Sequence, residues 1–275
     1  MNLAVIYNPV PDTPGFAGYM CAALAGLCDV THYKPGQEQA GHDWYLYIDD
    51  GPSYYMEPAY HPAAYLAMDM VVKPYWYLQP VEDYYKRLQN FDKGFVTSTA
   101  SLAYCQERGY DAKLIGFACD PKHHRWLDFT RDLDWIAVWH NCEGRVEASN
   151  RAYERFPGGR VAWVGGDLYA AYISRARCAL NWLRGDIVNM RVFEVAACLT
   201  PLVTTRHPDM ATWGWVEDEH YRGYDEDDID GMLDQIAWCN DNPVAAEQMA
   251  IRARQHVYNG HTYLDRAREI LEYLR

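Results

Sequence analysis

The stretch from residue 189 to residue 205, NMRVFEVAACLTPLVTT, tells more about this chain than any other part of it. Its pattern predicts a short helix, a tight Thr-Pro turn and a buried strand. The free N–H groups and the positive dipole end of a helix start suit a phosphate. Arg191 adds a forked, permanently charged donor, and Glu194, one turn further on, can accept from two neighbouring hydroxyls such as those of a ribose. The alternative is an amphipathic helix whose Arg191 and Glu194 are simply solvated.

The same stretch resembles the donor-binding signature of group 1 glycosyltransferases with the GT-B architecture. Within that group it is most similar to the spore-maturation glycosyltransferase-like proteins, a branch that is also common in phage genomes. The resemblance covers roughly residues 45 to 270 and includes further segments in the family's order: Ile48-Asp49-Asp50-Gly51, Met68-Asp69-Met70, Phe91-Asp92, Gly116 to Pro121 and His261-Thr262-Tyr263.

One position departs from the family pattern. Leu199 stands where the family usually has a glycine after the helix cysteine. A side chain in a left-handed helix cap is strained by roughly 1 kcal/mol. We therefore expect this helix to end differently from those of its relatives.

The order of predicted elements indicates an α/β fold. Short strands alternate with helices, which is typical of parallel sheets covered on both faces. Strands are predicted near 3–7, 44–48, 64–68, 94–97, 113–117, 134–139, 160–164, 177–181 and 201–205. Helices are predicted near 18–27, 79–89, 99–108, 144–155, 167–174, 189–198, 226–238 and across 243–275.

The length of 275 residues fits two domains, and the pattern breaks at residues 120–124. We predict an N-terminal, acceptor-side Rossmann-like domain over residues 1–125 and a C-terminal, donor-side Rossmann-like domain over residues 126–275. The resemblance implies that the two domains face each other across a cleft. It also implies that the last helix crosses back to pack on the first domain.

The resemblance assigns most of the donor site to the second domain. It gives Glu194 the ribose, with Arg191 and Asn189 at the same helix start beside the diphosphate. Asp186 lies eight positions before Glu194, matching the family's paired acids with the first one shortened, and is implied to hold sugar hydroxyls. An ordinary loop acid is the alternative for Asp186.

Three further donor-site candidates follow predicted strands. Arg145 comes after the first strand of the second domain and is implied to face the diphosphate, although it also fits a surface position in the next helix. Gly165 and Gly166 follow a later strand and resemble a loop that passes close to the nucleotide. A plain turn explains the two glycines equally well.

Further candidates, for the acceptor and for the donor, lie in the first domain. Asp69 follows a predicted strand and is a candidate general base or orienting group for the acceptor hydroxyl, with a helix cap as the alternative. Gly15 and Gly18 lie in the first Pro/Gly loop, where they allow a substrate to approach the backbone or only make the turn, and Gly15 is a candidate donor-binding residue. Asp49 and Asp50 are further candidates, although Asp49-Asp50-Gly51 also fits a turn.

Aromatic residues make up 15% of the chain. Tyrosines and a tryptophan of the first half suit stacking on sugars or bases, but such residues also commonly pack a small core. The residues concerned are Tyr54, Tyr55, Tyr60, Tyr75, Trp76, Tyr77, Tyr84 and Tyr85.

Charge and composition limit the function. The formal net charge of −13 argues against a broad grip on nucleic acid, whereas residues 145–191 hold eight arginines against four acids and suit a bounded anion such as a nucleotide diphosphate. The spacing of His123, His124, His207 and the acids at 225–228 fits neither a zinc nor a calcium site. We expect no metal, and no cofactor besides the donor substrate.

Other patterns concern the compartment. No run of 18 apolar residues predicts a membrane span, and the first residues lack the basic region of a secretory signal. The eight cysteines show no zinc or C-x-x-C spacing and fit reduced thiols. A cytoplasmic location is therefore expected.

The predicted function is transfer of a sugar from a nucleotide-diphosphate donor to an acceptor hydroxyl. The resemblance implies that the anomeric configuration is retained. The acceptor is left open between a saccharide, a small molecule, a protein side chain and a hydroxymethylated DNA base. Two alternatives are a nucleotide-sugar-binding protein without transfer and a sugar-nucleotide epimerase or hydrolase on the same fold.

Overall fold

The computed structural model describes residues 1–9, 15–49, 57–72, 81–140, 142, 144–183 and 185–275. Contacts divide the chain into two compact units. Unit 1 comprises Met1–Phe117, Gly185–Val188 and Tyr263–Arg275, and unit 2 comprises Ala118–Arg184 and Asn189–Thr262. The boundary after Phe117 lies a few residues before the predicted position near 125, and the C-terminal residues belong with the first unit.

Unit 1 is built on a six-stranded sheet in the order β2-β1-β3-β4-β5-β6, in which every neighbouring pair is parallel. The strands are β1 Asn2–Ile6, β2 Asp29–Tyr33, β3 Trp44–Ile48, β4 Ala63–Ala67, β5 Lys93–Val96 and β6 Ala112–Leu114. The helices are α1 Phe16–Ala25, α2 Val81–Leu88, α3 Thr99–Gln106 and α10 Tyr263–Leu274.

The C-terminal helix α10 packs against α1 within unit 1. The Tyr263 ring stacks on Tyr19 with 5.4 Å between ring centroids and meets Phe16 edge-on at 5.5 Å. Arg266 is 2% exposed, and its Nε donates to the carbonyl of Gly116 at 3.0 Å. Aromatic burial and a satisfied buried guanidinium together hold this helix against the first sheet's helices.

Unit 2 is built on a five-stranded parallel sheet in the order β11-β10-β9-β7-β8. Its strands are β7 Ile136–Val138, β8 Arg160–Ala162, β9 Ala179–Asn181, β10 Leu202–Thr205 and β11 Arg222–Tyr224. Its helices are α4 Arg145–Arg155, α5 Gly166–Ser174, α6 Met190–Ala197, α7 Asp209–Thr212, α8 Ile229–Asp241 and α9 Pro243–Tyr258. Trp135, Trp182 and Tyr224 form part of its core, with Met232 and Ile236 of α8.

The predicted α/β class with parallel, helix-covered sheets is confirmed. Two strands, β2 and β11, escaped prediction. Both are edge strands, and β2 (Asp-Val-Thr-His-Tyr) is largely exposed. A strand covered on so little of its surface lacks the apolar run by which a buried parallel strand is detected.

Helix α6 ends in the manner that a glycine would allow, and the expectation of a different end was wrong. Leu199 adopts a left-handed conformation with φ +57°. Its N–H donates to the carbonyl of Ala196 at 2.9 Å, and the N–H of Thr200 donates to that of Val195 at 3.4 Å. These two bonds form a Schellman motif, which satisfies carbonyls of the last turn in spite of the strain at Leu199.

Among the described residues, no helix has the length and apolar character needed to cross a membrane. The pattern break at residues 120–124 is a turn in which the N–H of His124 donates to the carbonyl of Asp120 at 2.7 Å.

Candidate functional site

In the sheet of unit 2, the direction in which the chain adds strands reverses between β7 and β9. From β7 the chain continues through α4 to β8 on one side, and then returns through α5 to β9 on the other side. The carboxyl ends of β7 and β9 therefore flank a crevice at the topological switch point, where open α/β sheets bind ligands. Helix α4 begins beyond β7 and helix α6 begins beyond β9, so that both helix starts lie at this edge.

The start of α6 is capped by Asn189. Its side-chain oxygen accepts from the N–H of Arg191 at 3.1 Å. Its amide nitrogen donates to the side chain of Asn181, the last residue of β9, at 3.1 Å. Asn189 thus fixes the helix start to the strand end, which is the role of an N-cap residue.

Glu194 is 2% exposed, and each of its two oxygens faces a different donor. Arg191 Nη1 lies 2.7 Å from Oε2, and His124 Nε2 lies 3.4 Å from Oε1. The N–H of Asp120 donates to His124 Nδ1 at 2.9 Å, so that the proton of a neutral His124 is on Nε2 and points to Glu194. The carboxylate is consequently held from both sides in one orientation.

Burial and the Glu194 charge also shift the pKa values of two neighbouring side chains. Burial lowers the pKa of His124, against the opposing effect of Glu194. Burial and the Glu194 charge raise the pKa of Tyr169, whose ring contacts His124 with 5.5 Å between centroids. Both groups therefore remain neutral around the carboxylate at neutral pH.

Arg191 links this buried carboxylate to the sheet edge. Its Nε donates to the carbonyl of Val138, the last residue of β7, at 3.0 Å, and its guanidinium carbon lies 5.3 Å from the Tyr169 ring centroid. The side chain is 32% exposed. The protein thus holds the guanidinium through two of its nitrogens, while part of the side chain remains exposed.

Arg145 lies at the start of α4 on the same edge. Its Nη2 donates to the carbonyl of Trp182 at 2.9 Å, and its guanidinium lies 5.6 Å from the Trp139 ring centroid. Burial lowers the pKa of His140, and the charges of Arg145 and Arg191 lower it further. Both guanidinium groups therefore act electrostatically on one point at the end of β7, as a site for an anion requires.

Gly165 and Gly166 form the start of α5, after β8. Gly165 is extended, with φ −140° and ψ −178°, and is the N-cap residue. Gly166 has φ +56°, and a Cβ added there would meet no atom within 4 Å. The backbone at this helix start is therefore open to close approach by a ligand.

The remaining predicted residues belong to unit 1. Gly15 is the N-cap residue of α1, and its carbonyl accepts from Tyr19 N at 3.1 Å. Asp69 lies in the turn after β4, where burial raises the pKa of its carboxyl. Asp186, 8% exposed, accepts from the N–H of Val72 at 2.7 Å.

Asp49, at the end of β3, is 1% exposed. Burial raises the pKa values of Tyr65 and Tyr84, and the charge of Asp49 raises both further. The first-half aromatics thus include core members, with Tyr60, Tyr84 and Tyr85 in one hydrophobic cluster. Asp50, Tyr54, Tyr55, Tyr75, Trp76 and Tyr77 lie outside the described residues.

The sequence did not point to three residues of this site: the buried Tyr169, and the exposed His140 and Trp163 at the sheet edge. It considered His124 only as a metal ligand. No local pattern marks a contact between residues 124 and 194, since it exists only after the chain has folded. Within the described ranges, no group of three or more His, Cys, Asp or Glu side chains is arranged to hold a metal ion.

An α/β chain with two parallel sheets, and with arginines and helix starts at a switch point, defines a nucleotide-binding class of fold. The model of the glycosyl transferase-like family matches residues 124–272. The chain belongs to this family, and it is a glycosyltransferase with the GT-B fold. No curated protein matches the chain.

Solved structures with the same fold span nearly the whole chain. The sucrose-phosphate synthase of Thermosynechococcus elongatus is 14% identical, with a TM-score of 0.72, over 99% of this chain and 98% of that one. An alpha-glucosyltransferase in complex with UDP-glucose and DNA containing an abasic site is 9% identical, with a TM-score of 0.67, over 99% and 98%. The BGT of phage T4, in complex with UDP-glucose, is 12% identical, with a TM-score of 0.61, over 100% and 99%. At such identities these likenesses show the fold alone.

Proposed function

We propose that this glycosyltransferase takes a sugar from a nucleoside diphosphate donor held by unit 2 and transfers it to an acceptor hydroxyl. The observation that carries the proposal is the arrangement at the start of α6. A carboxylate fixed from two sides, Glu194, lies one turn from Arg191, whose side chain is partly exposed. Adjacent hydroxyls and a diphosphate are the ligand groups that suit this pair.

The positive groups at the edge of unit 2 support a catalytic role for the site. Arg145, Arg191 and the starts of α4, α5 and α6 supply fixed donors where negative charge develops on a leaving diphosphate. Preorganised donors of this kind neutralise the leaving group without a metal ion. Metal-independent transfer is therefore part of the proposal.

Retention of the anomeric configuration is also proposed, on the resemblance to group 1 relatives. Such a reaction needs no strong side-chain base, which makes Asp69 more dispensable than Glu194. A role for Asp186 in holding sugar hydroxyls stays a prediction.

The acceptor is proposed to be a saccharide or small-molecule hydroxyl rather than a base in duplex DNA. The formal charge of −13 opposes an enzyme that grips a duplex broadly. One neighbour was solved with DNA containing an abasic site, so a hydroxymethylated base belongs in the acceptor panel.

The test measures binding and turnover separately. Uridine, guanosine, adenosine and thymidine diphosphates and their sugar conjugates are screened by thermal shift, and diphosphate release is then followed with and without acceptors. Glu194→Ala and Arg191→Ala should bind the selected nucleotide at least tenfold more weakly while circular dichroism still shows a folded chain. Arg155→Ala, which removes a surface arginine paired with Asp234, is the matched control and should bind normally.

Each alternative predicts a different outcome. Release without any acceptor would indicate a hydrolase or epimerase, and tight binding without turnover on any acceptor would indicate a binding protein. Loss of turnover after chelation with EDTA would contradict metal independence. Normal nucleotide affinity in Glu194→Ala would refute the assigned site.

A further inference from the structure

Trp163 is an exposed tryptophan at the functional edge of unit 2. Trp163 is 70% exposed, whereas Trp135, Trp139 and Trp182 of the same unit are at most 6% exposed. A single exposed apolar residue is common on protein surfaces and needs no explanation by itself. The position of Trp163 and its neighbours give it further meaning.

Trp163 directly follows β8, and β8 pairs in parallel with β7 through Val138 and Ala162. The residue therefore lies at the carboxyl edge of the sheet, between the strand end and the open backbone of Gly166. His140, two residues beyond β7, meets the Trp163 ring edge-to-face, with 3.9 Å between centroids and 78° between the planes. This contact limits the freedom of the exposed indole.

His140 also connects Trp163 to the arginines. The charges of Arg145 and Arg191 both act on the His140 ring. The same edge of unit 2 thus has two arginines that suit an anion and an exposed aromatic ring, with His140 between them. A ligand that satisfies both features carries a phosphate group at one end and a flat aromatic ring at the other.

We propose that Trp163 is the platform on which the nucleobase of the donor stacks, with His140 bracing the indole. The inference rests on the proposed function, because it takes the arginines to bind the donor diphosphate. The indole face provides stacking energy for any base, since every base has a π-face. Trp163 therefore contributes affinity for the nucleoside, whereas hydrogen bonds elsewhere select among bases.

The test compares ligands with and without a base. Isothermal titration calorimetry measures uridine diphosphate and inorganic pyrophosphate on the wild type, Trp163→Ala and Trp163→Phe. Trp163→Ala should lose about 5- to 150-fold in affinity for the nucleotide, and its pyrophosphate affinity should change less than about twofold. Trp163→Phe keeps an aromatic face and should retain most of the nucleotide affinity.

Trp126→Ala is the matched control, because Trp126 is also an exposed tryptophan of unit 2, at 38% exposure. It should leave both affinities unchanged. His140→Ala should weaken nucleotide binding by less than Trp163→Ala does, since the indole would remain in place but lose its support.

Several outcomes would overturn the proposal. If Trp163→Ala lost affinity equally for nucleotide and pyrophosphate, Trp163 would only stabilise the sheet edge and not bind the base. If its nucleotide affinity were unchanged, Trp163 would not belong to the site. A wild-type dimer that Trp163→Ala converts to a monomer at unchanged affinity would assign the indole to an interface between copies. If Glu194→Ala weakens binding and Trp163→Ala does not, only this inference fails; if the wild type binds none of the four nucleotides, the proposed function fails with it.

Discussion

Replacement of Glu194 by glutamine tests the two-sided support of the buried carboxylate. Glutamine has nearly the same size, but one carboxylate oxygen becomes an NH₂ group. Arg191 Nη1 at 2.7 Å and His124 Nε2 at 3.4 Å both donate to this side chain. Whichever way the amide is oriented, one donor faces another donor.

The magnitude follows from the burial of the group. A hydrogen bond to a charged group, here the Glu194 carboxylate, contributes about 1.5–3 kcal/mol, and Glu194, at 2% exposure, has little access to water that could replace the lost bond. The short contact to Arg191 favours an amide oxygen directed there, which leaves the longer His124 contact as the one lost. We therefore expect a loss near the lower end, about 1.5 kcal/mol of unfolding free energy.

The assay is urea unfolding at pH 7.5 with titration of the nucleotide found by the screen. Glu194→Gln should lower the unfolding free energy by that amount and weaken nucleotide binding about tenfold, because a neutral amide accepts a ribose hydroxyl less strongly. Glu154→Gln, on the exposed surface of α4, is the control and should change neither. A stability change below about 0.5 kcal/mol together with normal affinity would refute both the buried contacts and the ribose role.

Three further predictions concern other parts of the chain. Leu199→Val should lower the free energy of unfolding by about 1–3 kcal/mol, because a β-branched residue fits the left-handed helix end poorly. Leu199→Gly should change it by less than about 1 kcal/mol, since the relieved backbone strain offsets the entropy that glycine loses on folding. Equal free energies of unfolding for the two variants in urea would contradict the strained helix end. Asp186→Ala removes the acceptor of the Val72 N–H and should cost about 1–3 kcal/mol; an unchanged melting temperature would argue against this hydrogen bond. Burial lowers the pKa of His124 and of His256 below the ordinary 6.5, so the unfolded chain binds more protons than the folded chain between the lowered values and 6.5. The free energy of unfolding should therefore fall as the pH decreases through that window. His256→Gln should reduce the slope of melting temperature against pH.

Much of the fold could be predicted from local pattern. Apolar runs such as Leu-Ala-Val-Ile in β1 and Trp-Tyr-Leu-Tyr-Ile in β3 indicated buried parallel strands, and the helix at 189–198 was placed within one residue of α6 at each end. The edge strand β2 was missed because its exposure removes the apolar signal. The edge strand β11 was missed because Arg-Gly-Tyr is only three residues long and contains no apolar run. The helix end at Leu199 was misjudged because the two hydrogen bonds of the Schellman motif are satisfied in spite of the strain there.

The candidate site divides in the same way. Arg191 and Glu194 were singled out from the sequence because they share one helix start, where spacing alone brings charged groups together. His124, Tyr169 and Trp163 come from other segments, and each approaches its partner only through the folding of unit 2.

The sequence by itself determined the class of fold and the helix that carries the principal acid and arginine, because periodicity and helix-start chemistry are local properties. Only the tertiary structure decided which neutral groups surround Glu194 and which aromatic ring stands beside the arginines. Such contacts join residues that are distant along the chain, and they depend on how strands pair and how helices pack. No short-range pattern encodes that information.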